Sequence, residues 1–154
     1  MPPILKNVCT FLAIAVCAVS SSIAAPPAEP LPPDDAAQIR RDLERLNGLL
    51  EALRHEVPKP PQRDELIADA QVFAKGVEWA LKYETTYTRA DIDHLRKALE
   101  HGTERARAIA AGHPTWLNHK GRLIRGYVSS VDGSVQPFGL VIPAGYDLKK
   151  PTRL

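Results

Sequence analysis

Apolar residues in the first half of the chain recur at alternating steps of three and four, which is the spacing of one helix face. In the segment AAQIRRDLERLNGLLEALRHEV the repeating residues are Ile39, Leu43, Leu46, Leu50, Leu53 and Val57. Asp34 or Asp35 is predicted to cap this helix, because a carboxylate accepts the unpaired amide protons of a first turn. The motif Lys59-Pro60-Pro61 is predicted to end it, since proline disfavours helical geometry in the residue before it.

A second helix is predicted from about Arg63 to Tyr83, with an unusually broad set of apolar positions. These form two adjacent stripes (Leu66, Ala70, Phe73, Val77 and Ala80; Ile67, Ala74 and Leu81), which Val72 and Trp79 widen further. Such a broad apolar surface predicts a helix that is buried on more than one side.

A third helix is predicted to begin after Thr88 and to end in the sequence AGHP. Its seam consists of Ile92, Leu95, Leu99, Gly102, Ala106 and Ile109. Thr88 and Asp91 match a capping box, in which each residue satisfies the other's free backbone donor. Gly102 costs about 1 kcal/mol relative to alanine inside a helix, so we expect a neighbouring element to approach closely there.

Short loops between three amphipathic helices favour a compact helical bundle or helical hairpin. Each seam covers fewer than three heptads, so core packing explains the spacing better than a coiled coil does. A dedicated oligomerisation zipper is the alternative explanation.

The sequence then changes to GRLIRGYVSSVDGSVQPFGLVIP, which is typical of a β-hairpin. Asp132-Gly133 predicts a two-residue type I′ turn, with Val131 opposite Ser134. That register places Tyr127 opposite Phe138, Leu123 opposite Ile142 and Ile124 opposite Val141. Both faces are apolar and need cover. Pro137 cannot donate to a ladder, so its strand is predicted to lie at an edge or a bulge. The predicted fold class is therefore mainly α, with a three-helix bundle or hairpin followed by a β-hairpin.

The N-terminal segment has the features of a secretory signal. Lys6 supplies the positive charge, residues 8–19 form a short apolar run, and Ser22 and Ala24 fit a cleavage site before Ala25. An uncleaved anchor and a lipoprotein attached at Cys17 are the alternatives. The predicted organisation is a signal peptide (1–24), a proline-rich linker outside the core (25–35), a helical region (36–113) and a hairpin region (114–154).

Removal of the signal changes both the charge and the chemistry of the chain. The 154-residue chain has a formal charge of +2, which falls to +1 without Lys6. A nearly neutral chain with interspersed charges favours neither DNA nor RNA as a partner. Cys9 and Cys17 both lie in the signal, so the mature chain is expected to have no disulfide and no thiolate zinc site.

Catalytic motifs are missing from the sequence. It contains no G-x-S-x-G elbow and no glycine-rich phosphate loop. Ser129, Ser130 and Ser134 surround the predicted turn, where hydroxyls commonly bond local backbone. Histidines 94, 101, 113 and 119 lack the spacing of known metal motifs, and the aromatic residues Trp79, Trp116 and Tyr127 are more often core than pocket. We therefore predict no catalytic residue, no metal site and no cofactor.

The last quarter of the chain carries a set of ordered motifs. They are Asp132-Gly133-Ser134, Gln136-Pro137, Gly139-Leu140, Pro143, Tyr146-Asp147 and Lys150-Pro151. The stretch from Trp116 to Leu154 resembles the entry into the catalytic domain of large secreted bacterial α/β-hydrolases, of the esterase and prolyl-oligopeptidase-like kind. The resemblance implies that the hairpin corresponds to the first edge strands of a hydrolase sheet. It also implies that nucleophile, oxyanion loop, acid and histidine would lie beyond Leu154, so no catalytic residue is transferred.

Three functions from different classes remain open at this point. The first is the non-catalytic N-terminal portion of an exported hydrolase, whose partner would be the hydrolase catalytic domain or a second copy associating through the hairpin edge. The second is a self-sufficient exported helical protein that binds a partner. The third is a small metal-dependent enzyme that uses the histidines. We expect the protein to be exported to the periplasm or the extracellular space, with membrane contact only through the signal segment before cleavage.

Overall fold

The computed structural model describes residues 27–56 and 62–147. Three α-helices, α1 (Pro33–His55), α2 (Arg63–Tyr83) and α3 (Arg89–Ala110), are followed by a short 3-10 helix (Thr115–Asn118). An antiparallel hairpin of β1 (Gly121–Val128) and β2 (Val135–Ile142) completes the fold. The predicted mainly helical bundle with a β-hairpin is thus confirmed. The predicted signal, the Lys59-Pro60-Pro61 motif, Val57 and residues 148–154 lie outside the described residues.

The predicted seams of α1 and α3 form the main core. The buried seam positions are Ile39, Leu43, Leu46, Leu50 and Leu53 on α1, and Ile92, Leu95, Leu99, Gly102, Ala106 and Ile109 on α3. Trp116 of the 3-10 helix and Leu123 of β1 belong to the same cluster. The hairpin therefore shares its core with the helices. In the described part of the chain, no helix combines the length and apolarity needed to cross a membrane.

Helix α2 is the central element, and its burial on more than one side is confirmed. Ile67, Ala70, Ala74 and Val77 face the main core, while Ala68, Val72 and Phe73 pack with Val135 of β2 in a second cluster. The predicted widening by Trp79 is wrong, because this side chain is 55% exposed. The Lys75 ammonium lies over its ring at 4.6 Å.

Helix α1 begins earlier than predicted and without a side-chain cap. Pro32 occupies the N-cap position, and neither Asp34 nor Asp35 caps the helix. Proline at the first helical position has a fixed φ and lacks the N–H that a cap would satisfy, so Pro33 starts the helix before the acidic residues. Asp35 instead forms an ion pair with Arg96 of α3 at 2.5 Å.

The described part of the proline-rich linker packs against the helices. Glu29 and Tyr87 exchange backbone hydrogen bonds of 3.0 and 2.7 Å. Leu31 is partly buried against the main core. The segment predicted to be a spacer outside the core thus contributes an apolar side chain to it, because the extended backbone pairs with the loop between α2 and α3.

The predicted capping box of α3 and the close approach at Gly102 are both confirmed. The Asp91 N–H donates to Thr88 Oγ1 at 3.2 Å, and the Thr88 N–H donates to Asp91 Oδ2 at 2.8 Å. The Thr88 hydroxyl, which donates to Asp91 Oδ2 at 2.7 Å, and the Thr88 N–H lower the pKa of the Asp91 carboxyl. A Cβ on Gly102 would lie 2.6 Å from Leu46 Cδ2 and 3.2 Å from Phe73 Cβ, so α1 and α2 do approach closely at this glycine.

The hairpin turn differs from the predicted two-residue turn. The Ser129 N–H donates to Ser134 O at 2.8 Å, and the Gly133 N–H donates to Ser129 O at 2.9 Å. Only Gly133 has a positive φ in this loop, whereas a type I′ turn needs a positive φ at Asp132 as well. Residues 130–133 therefore form a four-residue loop.

The longer loop shifts the strand register by two residues. Tyr127 pairs with Gln136, Leu123 with Leu140 and Ile124 with Gly139, so the predicted partners are wrong. Side chains alternate with a period of two, and a shift of two therefore keeps each residue on its predicted face. Tyr127 and Phe138 become diagonal neighbours, with ring centroids 6.0 Å apart.

Candidate functional site

The histidines do not converge on a metal site. In the part of the chain that the structure describes, no group of three or more histidine, cysteine, aspartate or glutamate residues could hold a metal ion. His101 lies 5.9 Å from the Phe73 ring, and its Nδ1 lies 3.5 Å from a Glu104 carboxylate oxygen. His119 lines the same groove as His101, whereas His94 lines a different one beside Tyr87.

Two of the serines near the turn bond the local backbone and side chains, as predicted. Ser129 Oγ accepts from the Val131 N–H at 3.2 Å, and the Ser134 hydroxyl donates to Asp132 Oδ1 at 2.8 Å. The backbone N–H of Ser134 and the hydroxyls of Ser129 and Ser134 lower the pKa of the Asp132 carboxyl. These groups fix the shape of the loop.

A buried carboxylate, Asp69, joins the helices to the hairpin. It lies on α2 and is fully shielded from solvent. Its oxygens accept from Arg125 Nε at 2.7 Å, from the Trp116 indole N–H at 2.9 Å and from the Gly126 backbone N–H at 2.7 Å. One side chain therefore fixes β1 and the 3-10 helix to α2, and we call this group of four residues the Asp69 clamp.

Arg105 of α3 extends the clamp to the third helix. One of its Nη atoms donates to the backbone carbonyl of Asp69 at 2.7 Å. Its guanidinium lies between the rings of Phe73 and Trp116, at 4.8 and 5.1 Å from their centroids. Burial lowers the pKa of Arg105, since taking a cation out of water disfavours its charged form.

Backbone contact between β1 and α2 depends on a glycine. A Cβ on Gly126 would lie 2.2 Å from Ala68 O and 2.9 Å from Val72 Cγ1. Only a residue without a side chain allows the strand to approach the helix this closely. Gly126 thus positions its own N–H within reach of Asp69.

Much of the apolar surface of the hairpin remains exposed. Six residues form what we call the hairpin surface: Ile124, Tyr127, Val128, Phe138, Leu140 and Val141. Their exposed fractions range from 36% for Leu140 to 76% for Val141. Ile124, Val128 and Val141 lie on one face of the hairpin, and Tyr127, Phe138 and Leu140 lie on the other. Exposed apolar residues clustered on one element are typical of surfaces that another protein or domain covers.

The outer edge of β2 is partly blocked. Pro137 lies on β2, which has β1 as its only strand partner in the described residues. This confirms the prediction that Pro137 belongs to an edge strand. Lys75 Nζ donates to Val135 O at 2.6 Å, so one edge carbonyl is already satisfied by α2.

Sequence reasoning missed the Asp69 clamp and the close contact at Gly126. The available signal was a single acidic residue within the broad apolar stripe of α2, together with Arg125, which lies between Ile124 and Gly126 on β1. Buried charges occur in pairs, so these two residues could have been matched. Together the Asp69 clamp and the contact at Gly126 hold the hairpin against the helices.

Comparison of the chain with family models, with curated proteins and with solved structures found no match in any of the three.

Proposed function

We propose that the chain is the non-catalytic N-terminal portion of an exported α/β-hydrolase of the esterase or peptidase type. In this proposal the three helices and the Asp69 clamp hold the hairpin in place. The exposed hairpin surface then docks on the catalytic domain, which supplies the nucleophile, the oxyanion loop and the histidine. The chain by itself would not be an enzyme.

The exposed apolar residues of the hairpin are the observation that carries this proposal. Apolar burial contributes about 25 cal/mol per Å², so covering Ile124, Val128 and Val141, which share one face of the hairpin, would stabilise a complex. Three of the motifs behind the resemblance lie on the same hairpin. Asp132 and Gly133 lie in the loop, and Ser134 follows it directly. Gln136-Pro137 and Gly139-Leu140 lie on β2.

A second candidate function is a self-sufficient exported protein that binds a partner. Its support comes from the core, since Trp116 and Leu123 pack in the same cluster as the helix seams. Each of the two candidates makes the hairpin surface an interface. They differ in whether the partner is a domain encoded together with this chain.

We expect the isolated protein to self-associate through the hairpin surface, because nothing in the described chain covers it. Sedimentation velocity over a dilution series should show reversible oligomers. Charging the surface with Ile124→Lys and Val141→Lys should shift the protein towards the monomer, since both side chains are at least half exposed and can be replaced without unfolding.

The matched control adds the same two charges elsewhere, with Val131→Lys in the loop and Tyr83→Lys on α2. Both of these side chains are also exposed. The control should associate like the unmodified protein. Oligomers that persist in the first variant, or dissociate equally in the control, would argue against the hairpin surface as an interface.

For location, we propose export with removal of residues 1–24. The positive Lys6, the apolar run and the Ser22-x-Ala24 pattern support this. Mass spectrometry of the protein recovered from the periplasm or the medium should place Ala25 at the N-terminus. Recovery of a membrane-bound form that retains Met1 would refute it.

A further inference from the structure

A groove with an excess of positive charge lies between α3, the 3-10 helix and β1. It has a volume of about 350 Å³, and its charged and polar lining residues include His101, Glu104, Arg105, Thr115, His119 and Arg122. We call it the cationic groove. It shares Ile124 with the hairpin surface, but its charged lining residues do not belong to that surface, and ligand binding there does not require a hydrolase domain.

Arg105 is the central cation of this groove, and its charge is poorly compensated. No carboxylate in the described residues forms an ion pair with it, although Asp69 lies close enough to favour its charged form. Asp69 itself already pairs with Arg125 at 2.7 Å. A partly buried guanidinium without its own counter-ion is unfavourable unless a negative group approaches it.

The position of Arg105 is fixed before any ligand arrives. The guanidinium donates to the Asp69 carbonyl and lies against the rings of Phe73 and Trp116, and these contacts fix its orientation. A cation held in one geometry loses less conformational entropy when it binds. Arg122 adds a second, exposed guanidinium at the same groove.

The other lining residues suit a ligand that has an anionic group at one end and an apolar body at the other. Glu104 is the one carboxylate among the described lining residues, and it lies 3.5 Å from His101 rather than on Arg105. Ile124 contributes an apolar side chain that is half exposed. The groove therefore offers cations for one end of a ligand and apolar surface for the other.

We propose that the cationic groove binds a small organic anion, whose carboxylate or phosphate oxygens pair with Arg105 and Arg122 and whose apolar body contacts Ile124. Hydrogen bonds between an anionic oxygen and a guanidinium are roughly twice as strong as neutral ones. A neutral molecule of the same shape would leave Arg105 uncompensated and should bind far more weakly.

The test uses benzoate as the probe and the exported protein carrying Trp79→Phe, so that Trp116 is the fluorescent reporter. Benzoate should bind saturably with a Kd below about 1 mM, as measured by fluorescence and by calorimetry. Acetate, which lacks the apolar body, should bind at least about tenfold more weakly. Benzyl alcohol, which lacks the charge, should not saturate.

Arg122→Gln should weaken benzoate binding about tenfold or more. Because Arg122 is exposed, this variant should keep the stability of the unmodified protein. The matched control is Arg107→Gln, which removes the same charge from an exposed position on α3 and should leave affinity unchanged. Equal weakening by both variants, equal binding of benzyl alcohol, or no saturation with benzoate would overturn the proposal.

Discussion

Replacing Asp69 with alanine is expected to lower the free energy of unfolding by about 3–5 kcal/mol. The change leaves the Arg125 guanidinium without its counter-ion and the N–H groups of Trp116 and Gly126 without an acceptor. Domains of this size are stable by roughly 5–15 kcal/mol, so the loss is a large share of the total. Chemical denaturation followed by circular dichroism measures it.

The damage should be concentrated at the hairpin, because three of the four clamp residues tie β1 and the 3-10 helix to α2. Hydrogen exchange in Asp69→Ala should show faster exchange in β1 and β2 than in the helix cores. Glu65→Ala, an exposed acidic residue on the same helix, is the control and should cost less than about 1 kcal/mol. If Asp69→Ala costs no more than this control, the clamp does not hold the hairpin.

Adding a single methyl group at Gly126 is expected to be nearly as damaging. The new Cβ would lie 2.2 Å from the Ala68 carbonyl oxygen and 2.5 Å from its carbon. A helix backbone cannot move aside as a flexible side chain can, so β1 must shift outward. That shift also stretches the hydrogen bond from the Gly126 N–H to Asp69. We expect Gly126→Ala to cost about 1–3 kcal/mol or more, measured by the same denaturation assay.

Gly139→Ala is a closely matched control for this prediction. Gly139 lies on β2, two residues from the partner of Gly126, and a Cβ there would meet nothing within 4 Å. It should be neutral or slightly stabilising, since alanine restricts the unfolded chain more than glycine does. Similar losses in both variants would mean that strand propensity, and not the contact with α2, explains the role of Gly126.

The helices could be predicted from the sequence because their information is local. Apolar spacing identified every buried position of the α3 seam, and the Thr88–Asp91 pair marked where that helix begins. Gly102 was also informative, since an unfavourable residue inside a helix usually has a packing reason. Each of these features depends on residues within a few turns of one another.

Local apolar spacing does not reveal the clamp, because its partners are far apart in sequence and only the pairing of buried charges connects them. Asp69 meets Trp116, Arg125 and Gly126 across 47 to 57 positions. The hairpin register was missed for a different reason. Asp-Gly is a strong signal for a type I′ turn, yet the hydrogen bonds of Ser129 and Ser134 stabilise a four-residue loop instead.

The clamp also bears on the proposed docking of the hairpin. An isolated two-stranded hairpin is marginally stable in water, and ordering it during association would weaken binding. Because Asp69 and Gly126 fix β1 to α2 beforehand, the hairpin surface is already arranged when a partner arrives. A partner therefore gains the apolar contact of Ile124 and Val141 without the cost of folding the strands.

Sequencing the transcript beyond the Leu154 codon tests the central claim most directly. If the chain is the N-terminal portion of an exported hydrolase, a continuation in the same or a shifted frame should encode an H-G-x-G oxyanion motif followed by a G-x-S-x-G nucleophile elbow. These motifs supply the oxyanion donors and the activated serine that acyl transfer requires. Unrelated sequence in all frames would contradict the hydrolase account and favour a self-sufficient binding protein.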